Sequence, residues 1–214
     1  MSKIVSIHSF RGGTGKSNIT ANVAATLASQ GQRVGIVDTD IQSPGIHVLF
    51  GLGETEMPYY LNDYLWDRCP IRDTAHEVTQ NIGASVPGKI FLVPSSVKGG
   101  EINRILRDGY DVSLLVDGYQ DLIDDLNLDI LMIDTHPGIN EETLLSIAIS
   151  DVLLVLLRPD QQDFQGTSVT VEVARNLYVS SLMMVVNKVP PYQDLNEVKL
   201  KVERSYNAEV VGVL

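Results

Sequence analysis

The sequence predicts an α/β domain, a three-layer sandwich in which a mostly parallel central sheet is flanked by helices on both faces. Three observations predict it. Short apolar segments rich in β-branched residues alternate with helical ones along the chain, the pattern of repeated strand–helix–strand units. Several of those segments are apolar at nearly every position, as strands covered on both faces must be. A glycine-rich turn joins the first strand directly to the first helix. The 214 residues suffice for one large core and are short for two, so a single domain over 1–214 is expected.

The expected strands are residues 4–8, 33–38, 90–94, 130–134, 152–157, 182–187 and 210–213. The first helix starts at Lys16 or Ser17 and runs to about Gln30, with Ile19, Val23 and Leu27 recurring every four residues beside Ala24 and Ala28. Gly31 supplies its left-handed stop. The stretch 51–98 is the least regular, with Pro58, Pro70, Pro87, Pro94 and the lone Trp66. It reads as loops with one short helix near 60–66, an insertion or partner surface. A helix is expected over 112–126, with Val112, Leu115, Tyr119, Leu122 and Leu126 as its apolar stripe. Asp111, Asp117, Asp121, Asp124 and Asp125 lie mostly off that stripe and read as a solvated face rather than a metal site.

Composition narrows the function classes. Hydrophobic residues make up 44% and charged residues 20%, the profile of a soluble globular domain. No apolar run approaches the ~18–20 residues that span a bilayer, and the N-terminus reads as a strand rather than a signal peptide. The single cysteine, Cys69, provides for neither an internal disulfide nor a same-chain cysteine metal cluster, which points to the cytoplasm. The net charge of −11 opposes non-specific binding to DNA or anionic membranes. The densest basic group, Lys188, Lys199, Lys201 and Arg204, is interleaved with Asp194, Glu197, Glu203 and Glu209 and reads as a mixed-sign solvated face.

The strongest chemical signal is Arg11-Gly12-Gly13-Thr14-Gly15-Lys16-Ser17, after a strand and before a helix. Glycines let successive backbone N–H groups curl inward at phosphate oxygens, and the helix N-terminus adds partial positive charge. The amides between Phe10 and Asn18 would wrap a triphosphate, Lys16 would reach its β- and γ-phosphates, and the Ser17 hydroxyl would ligate Mg²⁺. The ordinary phosphate-loop pattern asks for glycine at position 10, where Phe10 stands. Three further segments follow: Asp38-Thr39-Asp40-Ile41-Gln42, then Ile130-Leu131-Met132-Ile133-Asp134 running into Thr135-His136-Pro137-Gly138, then Val185-Val186-Asn187-Lys188. Asp38 and Asp40 end one expected strand and Asp134 ends another, where ligands of open α/β sheets bind.

With these segments in this order, the chain resembles the MinD/ParA family of deviant Walker A P-loop ATPases. The resemblance implies ATP and Mg²⁺ as ligands, with Gly12, Gly13, Thr14, Gly15, Lys16, Ser17 and Asn18 around the phosphates. It implies that Asp40 orients or deprotonates the attacking water and that Asp38 and Asp134 hold Mg²⁺ with Ser17, through its water shell. Gly138 would let the following loop sense the γ-phosphate, and Asn187 would read the adenine edge. Choosing ATP over GTP rests on the family, since no guanine-reading N-K-x-D tetrad is evident. Arg11 stands where the family places a signature lysine that reaches across a dimer to the other subunit's nucleotide; the other reading of Arg11 is an ion-pair partner within its own subunit. His136, where the family shows proline or alanine, reads as a structural histidine.

The resemblance further implies an ATP-dependent homodimer, slow hydrolysis stimulated by a protein activator or adaptor, and a role in positioning or partitioning cargo. A nucleotide-dependent assembly or regulatory scaffold is the alternative. A reductase or metallochaperone would need more cysteines than Cys69, so no metal cluster is expected. The chain ends on an apparent strand where the family continues with a loop and a helix, so it is either shortened at its C-terminus or without that element.

Overall fold

The computed structural model describes residues 2–53, 56–83 and 85–214. Along the chain, β1 (Lys3–His8) leads into α1 (Lys16–Ser29), β2 (Arg33–Asp38) and the single turn α2 (Ile46–Leu49). Then come α3 (Leu61–Leu65), β3 (His76–Glu77), β4 (Lys89–Val93), α4 (Gly99–Asp108) and α5 (Leu114–Leu126). The second half runs β5 (Ile130–Asp134), α6 (Glu141–Ala148), β6 (Val152–Leu157), α7 (Gln161–Asn176), β7 (Ser181–Val186), α8 (Leu195–Tyr206) and β8 (Glu209–Val213).

The eight described strands form one sheet in the order β3-β4-β2-β5-β1-β6-β7-β8. Every pairing is parallel except β3 with β4. The predicted α/β architecture and mostly parallel sheet are therefore present. Alternation along the strands divides the core. Val37, Val93, Leu131 and Ile133 pack with Leu115, Tyr119 and Leu122 of α5. Their sequence neighbours Ile36, Leu92 and Met132 pack with Ala24 and Ala28 of α1 on the other face. A third cluster joins β6 and β7 to α7 and α8 through Leu153, Val155, Met184, Val171 and Val202. Small alanines on α1 let its backbone approach the sheet, and Gly31, at φ +92°, ends it as expected.

In the irregular stretch 51–98 the one short helix stands where expected, as α3, but the stretch is more deeply packed than an insertion or partner surface would be. Leu61, Leu65 and Ile71 are buried against α5, so this part is a layer of the core rather than a detached insertion. The Asn62 side-chain oxygen accepts the Ser96 N–H at 2.7 Å, tying α3 to the chain leaving β4. Residues 54, 55 and 84 of the stretch lie outside the described residues. The acidic residues of α5 are exposed, and Lys199 pairs with Glu203 at 3.8 Å on the outer face of α8, both as the charge pattern predicts. Among the described residues, no helix is long and apolar enough to cross a membrane.

Candidate functional site

The site lies where the strand order reverses, at the carboxyl ends of the three central strands. β1 sits between β5 and β6, while β2 lies on the far side of β5. The parallel register places Asp38 directly beside Asp134, and Asp134 beside Ile7. Three chain segments thus leave the sheet side by side, each carrying one of the predicted motifs.

The loop after β1 presents the open end of α1. Gly15 occupies the N-cap, no side chain caps the helix, and its first turn holds no acidic residue. The leading N–H groups and the positive end of the helix dipole remain available to an anion. Gly15 must be glycine for two reasons. Its φ is +99°, and a Cβ there would stand 2.5 Å from the Asn187 amide nitrogen. Lys16 is buried, and its ammonium makes no hydrogen bond or ion pair with another described side chain. Burial pulls its pKa down, while Asp134, Asp40 and Asp38 push it back up.

The carboxylates opposite are held in different ways. Asp38 is fully buried, and burial, with the Asp134 charge beside it, pushes its pKa well above the usual range. Its oxygens accept the backbone N–H groups of Asp40 at 3.0 Å and Gly45 at 3.4 Å, which shapes the turn after β2. Burial raises Asp134 to about 6, against the lowering effects of the Ser17 hydroxyl and Lys16. Its Oδ1, like the Thr14 hydroxyl, is buried without a hydrogen-bond partner among the described residues. Buried polar atoms are normally paired, so this cluster is built for something further. Asp40 is half-buried and accepts from the His136 imidazole at 2.7 Å. Gly138 donates to the Ser9 carbonyl at 3.1 Å, so the segment after β5 touches the phosphate loop.

Two predicted residues are occupied elsewhere. Arg11 lies 3.3 Å from Asp163 and 3.6 Å from Asp160, both at the start of α7. Arg158 shares the same acids, with Nε 3.0 Å from Asp163 and 3.4 Å from Asp160. In this structure Arg11 is thus the ion-pair partner within its own subunit, and a role across a dimer requires it to leave. Asn187 spends its side-chain oxygen on the Lys188 N–H (2.8 Å) and one amide hydrogen on the Thr14 carbonyl (2.8 Å). Asn187 thereby braces the loop, and one N–H and one lone pair of its amide oxygen remain unused by these two bonds. Gly12, Gly13 and Asn18 lie on the exposed rim, with Ser17 half-buried at the first turn.

Several participants escaped the sequence. Lys188, grouped there with a basic face, has φ +61° and donates from Nζ to the Gly13 carbonyl at 2.7 Å. A positive φ at a non-glycine residue has no sequence signature strong enough to find. Glu142 of α6 is buried, accepts from the Tyr110 hydroxyl, and has its pKa raised by burial. The Asp160-x-x-Asp163 spacing at a helix start was the one readable clue to the partners of Arg11: Asp160 accepts the Asp163 N–H as an N-cap.

Fold and loop together define the class: a P-loop ATPase domain of the MinD/ParA group. The chain belongs to the AAA_31 family, described as an AAA domain, whose profile matches residues 2–184. It is 28% identical to an uncharacterized ATP-binding protein of Methanocaldococcus jannaschii over all of this chain and 74% of that protein. It is 30% identical to the antiactivator FleN of Pseudomonas aeruginosa over 72% of this chain and 50% of FleN. An iron-sulfur cluster carrier protein of Methanococcus maripaludis is 29% identical over 87% of this chain and 61% of its own length. The chain therefore spans three quarters of the first relative and only about half to three-fifths of the other two.

Solved structures show the same fold. MinD of Aquifex aeolicus matches all of this chain and 81% of its own with a TM-score of 0.79 at 18% identity. MinD of Pyrococcus horikoshii, determined in complex with Mg-ADP, matches with the same coverages, a TM-score of 0.78 and 18% identity. A plasmid partition protein of Borrelia burgdorferi matches all of this chain and 90% of its own at 0.76 and 20%.

Proposed function

We propose that this domain binds ATP with Mg²⁺ at the phosphate loop, hydrolyses it slowly, and uses the γ-phosphate to switch between monomer and homodimer. The observation that carries this reading is the buried, unpaired ammonium of Lys16 at an uncapped helix N-terminus, facing Asp38, Asp40 and Asp134. A buried cation in direct contact with no anion among the described residues is costly, and nearby carboxylates offset only part of that cost. Triphosphate oxygens supply that contact, and the free N–H groups of the loop supply the donors.

The acidic half of the site fits a divalent cation. Asp134 offers an orphaned buried oxygen, Asp38 a second carboxyl, and Ser17 a hydroxyl, the oxygen set a hard ion takes. Mg²⁺ held there would neutralise phosphate charge as the terminal bond loosens. Around it, Lys16 binds the phosphates, the Gly13–Ser17 amides orient them, and Asp40 takes or orients a proton of the attacking water. Loss of the γ-phosphate removes the contact that Gly138 and the loop after it would make. A dimer that binds ATP more tightly than ADP then dissociates.

The biological use we favour is spatial control of cargo in the cytoplasm, with a partner protein stimulating turnover. A MinD of the same fold has been solved in complex with MinC, which supports the reading that a partner protein takes part. The alternative is a regulatory scaffold without cargo, supported by the likeness to an antiactivator. ATP-dependent pelleting with DNA or liposomes separates the two, since only the positioning reading needs a surface. The likeness to iron-sulfur carriers is weighed against Cys69, the single cysteine in 214 residues. A four-thiolate cluster shared by two copies takes two thiolates from each. The test of the site itself is Lys16→Ala. ATP affinity should fall by at least two orders of magnitude by calorimetry; unchanged affinity removes the phosphate-loop assignment.

A further inference from the structure

We propose that His136 is a positioning residue for the Asp40 carboxylate, a proposal that rests on the reading of Asp40 as the group facing the attacking water. The geometry comes from the sheet. Asp38 and Asp134 are register partners on β2 and β5, and the Thr39 N–H extends that ladder to the Asp134 carbonyl at 3.0 Å. Two residues beyond each aspartate stand Asp40 and His136, and their side chains meet at 2.7 Å. The parallel register that places the two buried aspartates side by side therefore also places this pair.

The hydrogen bonds on Asp40 are one-sided. Its Oδ1 accepts from His136 Nδ1 at 2.7 Å, Ser43 Oγ at 2.9 Å and the Ser43 N–H at 3.2 Å. With the carboxylate oxygen as acceptor, the donor of this bond is His136 with a hydrogen on Nδ1. Among the described residues, no hydrogen bond reaches Oδ2. Three donors thus occupy one oxygen and fix the carboxylate plane, leaving the other oxygen to accept a proton. Ser43 lies on the same turn as Asp40 and moves with it. His136 is the donor that comes from the other segment and fixes that turn relative to β5. Pro137 follows it and confines the His136 backbone to extended conformations, which stiffens the support.

Displacing a reacting group by about 1 Å can cost on the order of 100-fold in rate, the scale of effect a positioning residue controls. The test compares wild type, His136→Ala, His136→Asn and Asp40→Ala, alone and combined, by single-turnover ATP hydrolysis with ATP affinity and thermal midpoint measured in parallel. His136→Ala should lower the hydrolysis rate about 10- to 100-fold while ATP affinity stays within about 2-fold. His136→Asn, which keeps a donor, should recover most of the loss. In the Asp40→Ala background, His136→Ala should add no further loss, because nothing is left to position. An unchanged rate in His136→Ala, no recovery by His136→Asn, an equal loss in the Asp40→Ala background, or a fall in affinity matching the fall in rate each overturns the proposal. A wild type that does not hydrolyse ATP, or an Asp40→Ala protein as active as wild type, instead overturns the reading of Asp40 on which it rests.

Discussion

His8 is fully buried at the end of β1, with Nδ1 2.8 Å from the Thr135 hydroxyl. Burial first, then the Lys16 and His136 charges, lowers its pKa from 6.5 to about 3. The folded protein holds it neutral, whereas the unfolded chain takes a proton below 6.5. Its contribution to stability is therefore complete above 6.5 and is lost as pH falls through that value toward about 3. Asp134 works in the opposite sense: its raised pKa stabilises the fold at low pH, and that contribution is lost as pH rises from 3.8 to about 6. The two overlap in wild type, so the informative quantity is a difference. In His8→Asn, the thermal midpoint should fall less steeply than in wild type as pH drops below 6.5. Parallel midpoint-against-pH curves for the two proteins would show that His8 is not the titrating group.

At the scale of elements, the phosphate loop is held between α7 and the end of β7. Phe10 lies against Gly166 of α7, where a Cβ would stand 1.9 Å from its ring. Arg11 binds the acids at the start of the same helix, and Asn187 and Lys188 grip the loop carbonyls from the other side. Gly166→Ala should displace Phe10, destabilise the protein by about 1–3 kcal/mol and weaken ATP binding through the loop. Denaturant melts with calorimetry check both; stability lost with ATP affinity intact would separate the loop from its support. The glycines, Lys16 and the aspartates were legible because phosphate chemistry leaves few residue types able to do the work. Phe10 was legible only as a departure from the ordinary pattern; its purpose appears once Gly166, over 150 residues away, is beside it. Strands β1, β2, β5 and β6 were readable almost to the residue, because burial of their middles leaves runs of apolar residues, with most of the polar ones at the strand ends. β3 was not, since two residues at a sheet edge carry no periodicity. The His136–Asp40 pair was also unreadable, because it depends on the register of β2 against β5, which no local pattern specifies.

At the scale of the whole molecule, the acids at the start of α7 hold Arg11 inside its own subunit, and Arg158 remains on Asp163 if Arg11 departs. Release of Arg11 therefore strands no buried carboxylate, which keeps the cost of a rearrangement low. That suits the proposed switch between forms that differ by a nucleotide's terminal phosphate, since a ligand can shift an equilibrium only by its differential affinity for the two forms. The central claim is that the γ-phosphate in this loop governs self-association. The most direct test is sedimentation equilibrium of the Asp40→Ala protein with Mg²⁺ and either ATP or ADP. The account predicts the mass of two chains with ATP and of one chain with ADP. The same mass with both nucleotides, while both bind, would contradict it.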